Sequence, residues 1–218
     1  MSVGVQGLDR WDLSTRVQAP GLDLLTVQPG RPVELYGPPG YGLTRLGYRM
    51  LAGPSHVAPV VGVDVRGWMS PQAAWEVGVV VDRFVIVRCA DPRLWPTVTA
   101  ALAEGVRAVL AEVPDGVRDA DLRRLAALVR ARQMQLVLRP VGRPLPPGVA
   151  HLRLRAAAVG WEGPDRGHGR LLRRRLILEA SGKGASGMVQ RIEVEDEGED
   201  ALHVVSGLVD RPAGRATG

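Results

Sequence analysis

Short apolar runs alternate with helical patterns along much of the chain, and this alternation limits the available folds more than any other feature. The apolar runs predict buried strands at 32–36, 58–65, 84–88, 108–113 and 135–139. The segments between them predict helices at 44–52, 71–77, 94–104 and 119–132. Strands that are apolar throughout and alternate with helices are typical of a parallel sheet. We therefore predict an α/β fold with a mostly parallel sheet covered by helices on both faces.

The pattern changes after Arg139, where a proline-rich turn follows the fifth strand. A further short strand is predicted at 150–155, and strands at 170–179 and 189–195 are predicted to form a β-hairpin. This organisation predicts a core at 1–155, a C-terminal hairpin extension for interactions at 156–209, and a disordered tail at 210–218.

The composition excludes several classes of protein. No run of about 18 apolar residues is present, so we expect no membrane span. Cys89 is the single cysteine and can form no internal disulfide, which fits a reducing, cytoplasmic setting. The net charge is +5, and almost all of the positive charge is on arginine because Lys183 is the single lysine. The histidines lack cysteine or histidine neighbours at metal-ligand spacing, so no metal site is predicted.

Residues 37–44 resemble the phosphate-binding Walker A loop, which joins a strand to a helix so that backbone N–H groups surround a phosphate. The loop residues are Gly37, Pro38, Pro39, Gly40, Tyr41, Gly42, Leu43 and Thr44. The outer glycines and Thr44 match the pattern, but Leu43 stands where the lysine that pairs with the β- and γ-phosphates belongs. The loop therefore either binds nucleotide weakly through its amides and Thr44 or is a vestigial corner of the fold. We favour the second interpretation.

Several segments in sequence order resemble the RecA-like P-loop core of RecA, namely 31–40, 61–66, 84–88, 94–104 and 108–112. Within that group the chain is similar to the reduced proteins of the ImuA/SulA type, especially the actinobacterial ImuA-prime mutasome accessory proteins. The resemblance places Glu112 at the Walker B position, where a carboxylate could hold the water shell of Mg²⁺. It places Arg66 where RecA has its water-activating glutamate, and arginine cannot accept a proton. No catalytic residue is therefore predicted, and we expect the chain not to be an enzyme.

This resemblance implies a non-catalytic accessory subunit of a DNA-damage-induced translesion synthesis complex in the SOS response. The partners it implies are an ImuB-like Y-family scaffold protein and RecA, with an error-prone C-family polymerase and the sliding clamp reached through the scaffold. It further implies a cytoplasmic protein that joins the nucleoid during repair and needs no cofactor. Two alternatives stay open: a weak RecA-type ATPase that binds ATP and Mg²⁺, and a cell-division inhibitor of the SulA type.

The C-terminal region carries basic residues that could contact partners or DNA. They are Arg170, Arg173, Arg174, Arg175 and Arg191. Arginine side chains bind DNA phosphates and acidic protein surfaces. The pattern also fits a solvated hairpin in which the arginines at 173 and 175 face Glu193 and Glu195 across the strands, and we favour that interpretation. Trp68, Trp75 and Trp95 are expected to be packing residues.

Overall fold

The structure, a computed structural model, describes residues 22–163, 173–196 and 203–209. Within these residues nine strands form one sheet in the order β3–β2–β4–β5–β1–β6–β7–β8–β9. The strands are β1 Val33–Tyr36, β2 Val60–Asp64, β3 Phe84–Arg88, β4 Ala108–Val113, β5 Gln135–Pro140, β6 Leu152–Glu162, β7 Arg173–Ser181, β8 Gln190–Asp196 and β9 His203–Val209. Strands β1 to β6 pair in parallel, and β7, β8 and β9 continue the sheet antiparallel from β6. The predicted mostly parallel α/β fold is confirmed.

Helices cover both faces of the sheet. The α-helices in the described residues are α1 Leu43–Ser55, α2 Pro71–Trp75, α3 Trp95–Gly105 and α4 Asp119–Arg132. Helices α1 and α2 contribute to the apolar core on one face, and α3 and α4 contribute to the core on the other. Ser70 caps α2, because its hydroxyl oxygen accepts a hydrogen bond from the N–H of Ala73 at 3.4 Å and Pro71 opens the helix.

The C-terminal strands continue the main sheet. Strand β6 reaches Glu162, well beyond the predicted end at 155, and so crosses the predicted boundary between core and extension. Alanines are weak strand formers, and the register shifts between Ala156 and Ala158, which explains why the sequence pattern ended early. Strands β7 and β8 form the predicted hairpin. Strand β9 was not predicted, and the predicted tail at 210–218 lies outside the described residues.

The lengths of β1 and β6 determine what stands beside the phosphate-loop segment. Tyr36, the last residue of β1, pairs with Arg155, whereas β6 continues as far as Glu162. Strand β7 accompanies this projecting half of β6, with Arg174 opposite Trp161. The second half of β6 and its partner β7 therefore extend beyond the carboxyl-terminal end of β1, where the loop begins.

The described residues place limits on two other kinds of site. No helix among them has the length and apolar character needed to cross a bilayer. Likewise, the described ranges contain no cluster of three or more His, Cys, Asp or Glu side chains that could hold a metal ion.

Candidate functional site

The segment at 37–42 joins β1 to α1, as a phosphate-binding loop does. Gly40 and Gly42 have φ angles of +83° and +74°, a left-handed backbone that strongly favours glycine. Gly42 is the N-terminal cap of α1, and its carbonyl oxygen accepts a hydrogen bond from the N–H of Leu46 at 3.0 Å. The segment therefore has the strand–loop–helix connection and the left-handed glycines that the Walker pattern predicts.

The side chain at the lysine position of the Walker pattern, Leu43, packs into the core and not into the loop. It is buried in the apolar core between α1 and the sheet, among residues such as Leu35 and Leu46. A lysine in a functional Walker loop presents its ammonium group to the β- and γ-phosphates. Here the corresponding side chain is an apolar leucine that packs α1 against the sheet, so the loop lacks the ammonium group.

A different cation lies at the loop, the guanidinium group of Arg174 from β7. A Cβ atom built on Gly42 would lie 1.6 Å from Nη1 of Arg174 and 2.3 Å from its Cζ. The residue is only 7% exposed, and its Cζ lies 5.7 Å from the ring centroid of Trp161. The guanidinium therefore occupies the space directly beside the first turn of α1.

The structure separates Arg174 from the neighbouring arginines with which the sequence grouped it. Arg175 donates from Nε at 3.1 Å and from Nη2 at 2.8 Å to Glu195, and its Nε lies 2.7 Å from a carboxylate oxygen of Glu193, on the other face of β7. Hydrogen bonding to Glu195 and the nearby carboxylates raises the pKa of Arg175 despite partial burial. Arg173 lies 3.9 Å from Glu195 on that same face. The predicted cross-strand pairing is therefore present, and Arg174 lies on the opposite, buried face.

Two other predicted contact residues have different surroundings. Arg191 is exposed on β8 and pairs in register with Glu179 of β7. Arg170 lies outside the described residues. Their contact with DNA or a partner stays a prediction.

Glu112, the predicted Walker B carboxylate on β4, is only 1% exposed and surrounded by donors. Its Oε1 accepts from Nη1 of Arg139 at 2.9 Å and from Nε of Arg66 at 3.1 Å. Its Oε2 accepts from the backbone N–H groups of Val65 at 3.1 Å and Arg66 at 3.3 Å. Burial alone would raise the pKa of Glu112, but the hydrogen bonds and charges of these donors outweigh it and lower the pKa.

Arg66 completes this cluster in place of a general base. Its Nη2 also donates to Glu112, and its Cζ lies 4.3 Å from the ring centroid of Trp68. One carboxylate thus faces two guanidinium groups, those of Arg66 and Arg139. We call these three residues the Glu112 cluster.

The Glu112 cluster does not fit a magnesium ion. Mg²⁺ needs oxygen ligands at near-octahedral positions and retains several waters. Both oxygens of Glu112 already accept two or more hydrogen bonds, and two of the donors carry positive charge. A divalent cation would have to displace both guanidinium groups from a buried carboxylate. No step through Mg²⁺ follows from these residues.

Asp64, at the end of β2, is used to shape the next turn, a role the sequence analysis missed. Its Oδ1 accepts from the N–H of Gly67 at 2.8 Å and of Trp68 at 3.1 Å, and its Oδ2 accepts from the N–H of Met69 at 3.3 Å. An aspartate followed by a glycine three residues later is a turn signal that could have identified it. This turn positions Arg66 against Glu112.

The tryptophan prediction holds at one position and is wrong at two. Trp95 is buried, and its Nε1 donates to the carbonyl oxygen of Glu112 at 2.7 Å. Trp68 and Trp75 are 68% and 64% exposed. Trp68 precedes α2 and Trp75 is its last residue, and Val85 of the terminal strand β3 is exposed as well. Val85 is thus an exposed apolar residue on an edge strand, a feature found where a sheet pairs with another chain.

Comparison with known proteins identifies the fold and the family. The model of the family described as the MT3502 N-terminal domain matches residues 24–144, more than half of the chain. The crystal structure of the RadB recombinase superposes with a TM-score of 0.56 at 17% sequence identity, covering 82% of this chain and 95% of that chain. At this identity the likeness shows the fold alone, which is RecA-like. No curated protein matches the chain.

Proposed function

The chain belongs to the MT3502 N-terminal domain family, and from its RecA-like fold we propose that it is a non-catalytic subunit of a DNA-damage-induced translesion synthesis complex. The observation that carries the proposal is the Glu112 cluster, in which the predicted Walker B carboxylate is neutralised by Arg66 and Arg139. Because the predicted metal-binding carboxylate is already bonded to two arginines of the same chain, the core can act through its surface and not through a bound metal ion. The proposed mechanism is therefore docking.

The chemistry of phosphoryl transfer supports a non-catalytic role. Such transfer depends on a loop lysine, a carboxylate-held Mg²⁺ and a residue that orients the attacking water. In this chain the first position is the buried Leu43, the second is the saturated Glu112 and the third is Arg66. Each replacement removes a separate contribution to the rate, so we expect no nucleotide hydrolysis.

The class of partner comes from the resemblance to the ImuA-prime proteins. From that resemblance we propose an ImuB-like Y-family scaffold as the direct partner and RecA as a second partner. The error-prone polymerase and the sliding clamp would be joined through the scaffold. The edge formed by β3 supplies a surface for such docking, because an edge strand offers backbone donors and acceptors to an added strand. The exposed Val85 adds an apolar side chain on this strand.

Affinity purification tests this proposal directly. We expect tagged protein from its own host, after DNA damage, to recover the Y-family-like scaffold, as read by mass spectrometry. Val85→Lys should reduce scaffold recovery at least about tenfold, because it places a charge in an apolar interface. Val57→Lys, at a still more exposed valine in the turn after α1, is the control and should leave recovery unchanged.

Other results would contradict the proposal in distinct ways. Recovery of division proteins in place of the scaffold would favour the SulA-type alternative. Saturable Mg²⁺-dependent ATP hydrolysis by the purified protein, lost in Gly42→Asp, would favour the ATPase alternative. Equal recovery of the scaffold by both valine variants would remove the β3 edge from the interface.

A further inference from the structure

A basic cleft lies at the end of the sheet opposite to the phosphate-loop segment. It is formed by the residues before β1 and β6, the end of α4 and the turn after β7, and it has a volume of about 720 Å³. This volume is within the range of small-molecule sites in proteins, roughly 300–1,000 Å³. We call it the Lys183 cleft, after the single lysine of the chain, which lines it.

All of the titratable residues described in the lining of the Lys183 cleft are basic. Arg31, Arg130, His151 and Lys183 line it, and among the described residues that line it there is no carboxylate. Arg31 donates from Nη1 to the side-chain oxygen of Gln28 at 2.6 Å, a neutral partner. Arg130 and Lys183 form no ion pair within the described part of the chain. Three permanent positive charges therefore line one cleft that has no carboxylate among its described lining residues.

The backbone holds Lys183 next to the other basic groups. The N–H of Gly184 donates to the carbonyl oxygen of His151 at 2.9 Å. Gly182 approaches the same carbonyl so closely that a Cβ atom there would lie 2.8 Å from the oxygen, and its φ is +97°. Partial burial, then the charges of Arg31 and Lys183, lower the pKa of His151, so these groups share one electrostatic environment. The turn is thus fixed against the strand and presents its lysine to the cleft.

We propose that the Lys183 cleft binds phosphate groups through Arg31, Arg130 and Lys183. Guanidinium groups bind phosphate oxygens with paired hydrogen bonds, and an ammonium group adds a third point of contact. No Phe, Tyr or Trp side chain lines the cleft in the described residues, so the recognised element is the phosphate and not a stacked base. This site is separate from the proposed docking function and does not depend on it.

The phosphate could belong to a free anion or to a nucleic-acid backbone, and two titrations distinguish these sources. Calorimetry with sodium pyrophosphate tests the free anion, and calorimetry with a dT oligonucleotide tests backbone phosphates. The variant Arg130→Gln/Lys183→Gln should weaken binding of the recognised ligand at least about tenfold. Both side chains are exposed, so the variant should fold, and circular dichroism checks this.

The matched control is Arg88→Gln/Arg93→Gln, which removes the same charge from exposed arginines at the other end of the sheet. It should change either dissociation constant less than about twofold. Pyrophosphate binding lost only in the cleft variant supports a free phosphate ligand, and oligonucleotide binding lost only there supports a nucleic-acid backbone. The proposal is overturned if neither ligand binds the wild-type protein. It is also overturned if the wild type, the cleft variant and the control variant bind the ligand equally well. The single variant Lys183→Gln repeats the test if the double variant is unstable.

Discussion

Replacing Glu112 with glutamine is expected to lower the free energy of unfolding by about 3–5 kcal/mol, the usual result of removing one partner from a buried ion pair. The carboxylate is 1% exposed and is the shared acceptor of Arg66 and Arg139. Without its charge the two guanidinium groups repel each other in a poorly solvated position. Burial already lowers the pKa of Arg139, and its Nε has no hydrogen-bond partner in the described structure, so further loss is costly. Urea denaturation followed by circular dichroism gives the difference.

The pH dependence of that difference provides an independent check. Burial raises the pKa of Glu112, but its donors bring it below the ordinary value of 4.5, and an acid with a lowered pKa in the folded state stabilises the fold when ionised. The stabilisation is therefore complete above about pH 4.5, the unfolded value, and is lost as the pH falls through the folded pKa. The gap between wild type and Glu112→Gln should be largest at neutral pH and should close in acid.

Glu104→Gln is the control for this experiment. Glu104 is 64% exposed and lies 3.9 Å from Arg132, so its ion pair is screened by solvent. Its replacement should change the free energy of unfolding by less than about 0.5 kcal/mol. A similar small loss in Glu112→Gln would contradict the view that Glu112 is held in a buried ion-pair cluster with Arg66 and Arg139, and with it the main support for a non-catalytic core.

The parallel part of the fold was predictable because its strands are buried on both faces. Such strands are apolar throughout, as in the segments that became β2 and β4, and they stand out between helices. The helix at 119–132 was predicted with its observed bounds because its apolar side chains recur with helical spacing. Strand β9 and the far half of β6 were missed, since their stability comes from pairing with β8 and β7.

The site was predictable only in part. The loop at 37–42 and the position of Glu112 followed from motifs, and the alternation along β7 could have placed Arg174 on the buried face with Leu176 and Leu178. The approach of Arg174 to Gly42 could not be predicted from the sequence, because this approach depends on the length of β6 and on the β6–β7 register. The Glu112 cluster likewise requires the order of β2, β4 and β5 in the sheet, which local patterns do not contain.

The position of Arg174 leads to the second large effect, expected from Gly42→Ala. Gly40 and Gly42 both have a left-handed backbone, so alanine at either should cost roughly 1–2 kcal/mol. A Cβ atom at Gly40 meets nothing within 4 Å, whereas at Gly42 it would collide with the guanidinium of Arg174. Gly42→Ala must therefore also displace the end of a long, mostly buried side chain, which adds about 0.5–1.5 kcal/mol. Gly40→Ala is the matched control in the same loop.

A double-mutant cycle isolates the contribution of Arg174. If its guanidinium occupies the space beside α1, the excess cost of Gly42→Ala should disappear when Arg174→Ala is also present, a coupling of about 0.5–1.5 kcal/mol. Gly40→Ala and Arg174→Ala should instead be additive to within about 0.5 kcal/mol. Additivity at both glycines would mean that the guanidinium does not lie at the loop in solution. Coupling at Gly42 alone would show that a side chain of this same chain fills the space beside the first turn of α1, where a nucleotide-binding relative would need room for a phosphate.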